Sequence, residues 1–115
     1  LIDVTNPGAD VMILASGTAA SQSREALFVA KEEGIDVGLI KVKSLRPFPT
    51  DEINAALANA KAVVIPEFNR VGWLHREVKA ALTKDINVVG APRVYGGMTM
   101  PVDMILDEIR RCKNA

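Results

Sequence analysis

The chain has 115 residues, 49% of them hydrophobic and 24% charged, and its 14 basic and 14 acidic side chains cancel to a net charge of zero. Such a length suits one domain that buries roughly two-thirds of its unfolded surface, and the composition is too apolar for a disordered segment. Scattered, cancelling charge leaves no footprint for nucleic acid or an anionic membrane, and no apolar run is long enough to span a bilayer or follows a basic leader, so a cytoplasmic protein with neither partner is expected.

Residues 1–9, which open on LIDV, are expected to form a linker or an edge strand. The apolar run DVMILAS (Asp10–Ser16) predicts the first main strand. It lacks polar alternation, as expected of a parallel strand covered on both faces. A helix is predicted over Thr18–Glu33, with Ala20, Leu27 and Ala30 on its apolar side and Gly34 as its stop signal. Between the two, Gly17 and Thr18 offer amide donors to an anion, but neither G-x-G-x-x-G nor G-x-x-x-x-G-K-[ST] is present, so no phosphate loop is expected.

The second main strand is predicted over DVGLIKV (Asp36–Val42), followed by the corner KSLRPFPT. Pro47 and Pro49 stiffen that corner and bias Arg46 and Phe48 toward extended conformations. Phe48 is expected to plug the end of the core. Arg46 is expected to satisfy loop carbonyls or a neighbouring carboxylate, with recognition of a phosphate or carboxylate as the alternative, because ligands of open α/β sheets bind beyond the carboxyl ends of strands. Thr50 is expected to be the N-cap of the next helix, with Asp51 and Glu52 in its first turn. Ile53, Ala56, Leu57 and Ala60 give that helix an apolar stripe at i, i+3, i+4, i+7.

A third strand, AVVIP (Ala62–Pro66), leads into PEFNRVGWL, where Glu67, Asn69 and Arg70 form the densest polar cluster of the chain. With Arg46 they are expected at one edge of the sheet, either as ion pairs of Glu67 with Arg46 or Arg70 or as an interface with another domain or subunit. A third helix carries Leu74, Val78, Ala81 and Leu82 on one face. His75 lies early in it as the single histidine, without a second ligand at metal spacing, and is expected at the surface or in helix packing. INVVG (Ile86–Gly90) predicts the last strand. The Gly96-Gly97 turn and Pro101 then introduce a final helix whose stripe is Val102, Ile105, Leu106 and Ile109. Cys112 is the single cysteine, so the chain has no internal disulfide and cannot by itself hold a zinc site or an iron–sulfur cluster.

The alternation predicts an α/β fold, a three-layer α/β/α sandwich with a mostly parallel sheet of four to five strands. Residues 1–115 are expected to form a single domain. The start at Leu1, with no Met, and the polar ending RRCKNA suggest a part of a longer chain.

Taken together, ADVMILASG, GIDVGLIKVKSLRPFPTDEINAAL and KAVVIPEFN…GWLHREVKAAL resemble the transketolase C-terminal-like domain of 2-oxoacid:ferredoxin oxidoreductases of the pyruvate synthase type. The resemblance spans Ala9 to about Leu82, with GLIKVKSLRPFP as its most specific piece and Glu67 as the Glu that closes the third strand. GGMTMPVDMILDEI is similar to the tail of these chains. The resemblance implies an alpha subunit of an enzyme that uses thiamine diphosphate and Mg²⁺ to decarboxylate a 2-oxoacid, such as pyruvate, 2-oxoglutarate, a branched-chain oxoacid or oxalate. Two electrons pass through iron–sulfur clusters to ferredoxin, usually with coenzyme A as co-substrate. It implies that this domain holds none of these groups and packs beside the catalytic domain; from the residues themselves no catalytic group is expected, and Arg46, Glu67, Asn69 and Arg70, brought to one end of the sheet by parallel strands, are expected to face another domain or subunit. A docking domain of a 2-oxoacid dehydrogenase beta subunit or a transketolase-like enzyme is the alternative reading, and a flavodoxin-like binding module is a second.

Overall fold

The computed structural model describes residues 2–16, 18–43, 49–67, 73–83, 86–93 and 102–113. Among them lie five strands, β1 (Ile2–Thr5), β2 (Val11–Ala15), β3 (Val37–Val42), β4 (Ala62–Glu67) and β5 (Asn87–Arg93). They share one sheet of order β1-β3-β2-β4-β5. The four strands β2 to β5 pair in parallel, and β1 joins β3 antiparallel at the edge. Residues Ile2–Thr5 thus form an edge strand. The helices are α1 (Thr18–Glu32), α2 (Thr50–Ala56), α3 (Trp73–Ala81) and α4 (Val102–Lys113). None among the described residues is long and apolar enough to cross a membrane.

Successive strand residues point to opposite faces, and here both faces are covered. On one face Val11 and Ile13 of β2, Val37 and Leu39 of β3 and Val64 of β4 pack with Ala26, Leu27 and Ala30 of α1 and Ile105, Leu106 and Ile109 of α4. On the other, Met12, Leu14, Ile40, Val42, Val63 and Ile65 pack with Ile53 of α2, with Leu57 just beyond it, and with Val78 of α3. The result is a three-layer α/β/α sandwich. Double coverage explains why β2 is buried at all five positions and why its sequence has no polar alternation. Each fully buried Met, Ile or Leu stabilises the fold by about 1.5–3 kcal/mol relative to exposure.

Helix ends show what the sequence dictates and what it does not. Gly34 adopts φ +82, and its N–H donates to the Lys31 carbonyl while the Ile35 N–H donates to the Ala30 carbonyl at 3.1 Å. This is a Schellman motif, and glycine is favoured there because its backbone enters the left-handed region without a Cβ penalty. Two expectations need correction at α2. Its N-cap is Pro49, with no side-chain cap bond, and Thr50 is already the first helical residue. The Ile53 N–H donates to the Pro49 carbonyl at 3.0 Å, so the proline occupies the position at which Thr50 was expected to cap. The helix also ends at Ala56, although Leu57 and Ala60 complete the apolar stripe and are buried. They reach the core from a turn, because Ala60 N–H bonds the Leu57 carbonyl at 3.1 Å and releases the chain toward β4.

The passage from β1 to β2 crosses the amino end of β3, which lies between them. Asn6 makes the turn with φ 54, and its Nδ2 donates to the Val37 carbonyl at 2.9 Å. The Asp36 carboxylate accepts the Asp10 N–H at 3.2 Å and holds the far side of the crossing. Beneath it is Gly38. A Cβ there would meet the Asn6 carbonyl oxygen at 2.5 Å, Met12 Sδ at 2.7 Å and the Thr5 carbonyl oxygen at 2.8 Å, so the crossing requires glycine.

Candidate functional site

Parallel pairing gathers the carboxyl ends of β2, β3, β4 and β5 on one edge of the sheet. From β2 the chain passes outward to β3 on one side, then crosses to β4 on the other. Connections that diverge in this way open a crevice beyond the carboxyl ends of β2 and β4, the usual ligand position in open α/β sheets. Half-buried Ser16 follows β2 there, and β4 ends on Glu67. Exposed Lys43 follows β3 and pairs with Asp3 of β1 at 3.1 Å. Both side chains are about half exposed, so that pair contributes only about 0–1 kcal/mol.

Glu67 is placed by its backbone at this carboxyl edge. Arg46, Asn69 and Arg70 lie outside the described residues, as do Phe48, Gly17, Gly96, Gly97 and Pro101. The strands leading toward Arg46 and toward Asn69 and Arg70, β3 and β4, end on the same edge as Glu67. His75 falls in the first turn of α3 and Thr18 opens α1. Among the described residues no group of three His, Cys, Asp or Glu gathers to hold a metal ion.

One residue of this edge was missed in the sequence. Ile86–Gly90 predicts a strand that stops at Gly90, but β5 continues to Arg93 and pairs it with Glu67. Apolar patterning cannot signal this, because Ala91, Pro92 and Arg93 carry no strand-like run of large side chains.

Away from this edge, the end of α1 is tied to α4. Arg110 Nε donates to Glu33 at 3.0 Å, and its Nη1 donates to Asp107 at 3.2 Å. Hydrogen bonding to Glu33, partly offset by desolvation and aided by Asp107, raises the Arg110 pKa above its already high ordinary value. Nearby Arg111 donates to Glu108. Cys112 is half-buried, and burial first, then the Glu108 charge, pushes its thiol pKa up. A raised pKa keeps the thiol protonated and poorly nucleophilic.

Residues 9–105 match the family model of pyruvate:ferredoxin oxidoreductase core domain II. The chain belongs to that family. Among curated relatives, the pyruvate synthase subunit PorA of Methanothermobacter thermautotrophicus is 34% identical over 110 residues, which cover 92% of this chain and 28% of that protein. This domain II chain therefore spans little more than a quarter of that relative's length. Among solved structures, the 2-oxoglutarate:ferredoxin oxidoreductase of Magnetococcus marinus superposes with a TM-score of 0.83 at 26% identity, over 97% of this chain and 19% of that one. A split-gene transketolase in an inactive beta4 tetramer superposes at 0.77 with 21% identity, over 99% of this chain and 41% of that one, a likeness of fold. The transketolase C-terminal-like architecture expected from the sequence is the one observed.

Proposed function

We propose that this chain is a packing and assembly domain of a thiamine-diphosphate-dependent 2-oxoacid:ferredoxin oxidoreductase, inactive when isolated. The observation that carries the reading is the domain II match over residues 9–105. The short coverage of the PorA relative supports a role as one part of a larger protein, with residues 1–115 as a single domain of it. The whole enzyme would work in the cytoplasm, oxidise a 2-oxoacid with release of CO₂, conserve the acyl group on coenzyme A and deliver two electrons to ferredoxin. Pyruvate and 2-oxoglutarate both occur in the names of its relatives, and contacts outside this domain would choose between them.

The residues present do not fit the redox groups of such an enzyme. A four-iron cluster takes four thiolates, and this sequence has one cysteine, half-buried and with a raised pKa. We therefore assign these groups to other domains and give this one the work of packing beside them. Its contacts would be made by the carboxyl edge, through Arg46, Glu67, Asn69 and Arg70. Calorimetric titration of the 115-residue chain with thiamine diphosphate and Mg²⁺ tests this: no saturable heat is expected, and saturable micromolar binding would place part of the cofactor site here.

A further inference from the structure

Helix α1 packs mainly over β3 and β2, whereas α4 packs mainly over β4 and β5. Glu33, one residue past α1, bonds Arg110 and so marks the flank of α1 that faces α4. Arg24, Phe28 and Lys31 lie about 140–180° around the helix from Glu33. Spaced i, i+4 and i+7, they form one stripe that faces away from α4, toward the β1 edge of the sheet. All three are exposed, Phe28 at 65%. Beside this flank the sheet steps out to β1. Val37 and Leu39 of β3 face α1, so half-buried Lys41 does too by alternation, together with its strand partner Asp3. Lys43 reaches Asp3 at 3.1 Å. Four cations and one carboxylate thus share a shelf with an exposed ring, in a chain whose net charge is zero.

We propose that this shelf docks an acidic segment of a neighbouring domain or subunit, with an apolar side chain of that segment seated on Phe28. The proposal rests on the assembly reading for the source of the segment, and it adds a contact surface away from the carboxyl edge. Complementary charge sets the sign of the partner and its register, and aromatic and Arg side chains are the favoured anchors at the centre of an interface. Such a partner has ample chain to come from, because this domain matches only 28% of the PorA relative and 19% of the 2-oxoglutarate:ferredoxin oxidoreductase chain. A polyphosphate is the poorer fit. Asp3 sits beside Lys41 and Lys43, and exposed Glu25 and Glu32 border the ring on the outer surface of α1, so the shelf lacks the unbroken cationic run that counterion release rewards.

Photo-cross-linking in the intact oxidoreductase reads the partner directly, with Phe28 replaced by p-benzoylphenylalanine and the linked peptides identified by mass spectrometry. A cross-link to a segment rich in Asp and Glu on another domain or subunit is expected. Where position 28 does not tolerate the bulk, the same group at exposed Ser21, two turns along the same face, reads the same partner. Arg24→Glu combined with Lys31→Glu should cut the cross-linked yield by about tenfold, and added salt should lower the wild-type yield. The folding equilibrium constant of the 115-residue chain carrying both changes should stay within about threefold in urea melts, because both side chains are exposed. No cross-link, a cross-link to a segment without carboxylates, or a yield indifferent to charge reversal would overturn the shelf. Capture of phosphatidylserine vesicles or duplex DNA by the wild-type enzyme and not by the reversed variant would also overturn it, in favour of a polyanion. Sedimentation of enzyme altered at Arg46 or Glu67 tests the assembly reading separately, so either can fail alone.

Discussion

Gly38 illustrates how a single residue can be fixed by a contact distant in sequence. Its place inside β3 costs conformational entropy, and nothing in VGLIKV explains it. The reason is the overlying β1–β2 crossing, with the Asn6 and Thr5 carbonyl oxygens closer than any Cβ tolerates. Gly38→Ala is expected to destabilise the fold by about 1–3 kcal/mol, because backbone and not a flexible side chain must move; urea melts give the value, and a loss below about 0.5 kcal/mol would mean that the crossing yields freely. Gly34, by contrast, was legible as a helix stop, since its role is local to α1. Cys112 bears on pH. Its folded thiol pKa is raised, so above the unfolded value of about 8.5 the unfolded chain loses its proton first. The sign follows from linkage: stability from this group is fully present below about pH 8.5 and is lost as pH rises through the folded pKa. Wild type should lose stability between pH 8 and 10 faster than Cys112→Ala, and parallel curves in paired denaturant melts would contradict this.

At the scale of elements, periodicity exposed the stripes of α1 and α4, and the strand runs were visible because both sheet faces are covered. The end of α2 was hidden, since Leu57 and Ala60 keep helical spacing while leaving the helix. Also hidden was the brace between α2 and α3. Asn54 Nδ2 donates to the Thr50 carbonyl within α2 and to the Ala81 carbonyl at the end of α3, both at 3.0 Å, while its Oδ1 accepts the Thr83 N–H at 3.0 Å. Asn54 thereby satisfies two backbone groups beyond its own helix, including a terminal carbonyl of α3. Asn54→Ala is expected to cost about 1–3 kcal/mol by leaving them to compete for water. Amide hydrogen exchange should show the loss concentrated around residues 81–83, and unchanged protection there would show that the brace is dispensable. The side chain also explains why a polar residue suits the middle of α2, beside the fully buried Ile53.

For the whole molecule, the sandwich was legible in the strand–helix alternation, and the family through the resemblance that GLIKVKSLRPFP and its flanking segments carry. The candidate site was legible only in outline. Sequence order brings Glu67 to a strand end, but the extension of β5 to Arg93, whose backbone pairs with that of Glu67, is a property of two strands together. The central claim is that the carboxyl edge serves assembly and not substrate chemistry. An ion pair there that stays in water contributes about 0–1 kcal/mol, whereas removal of one partner from a desolvated interface costs about 2–5 kcal/mol. Sedimentation velocity of the intact oxidoreductase carrying Arg46→Ala or Glu67→Ala tests the claim most directly. Weakened domain or subunit association is predicted, with the isolated chain losing no more than about 1 kcal/mol in urea. Unchanged association together with a large rise in KM would contradict it and make the edge a recognition site for substrate or cofactor.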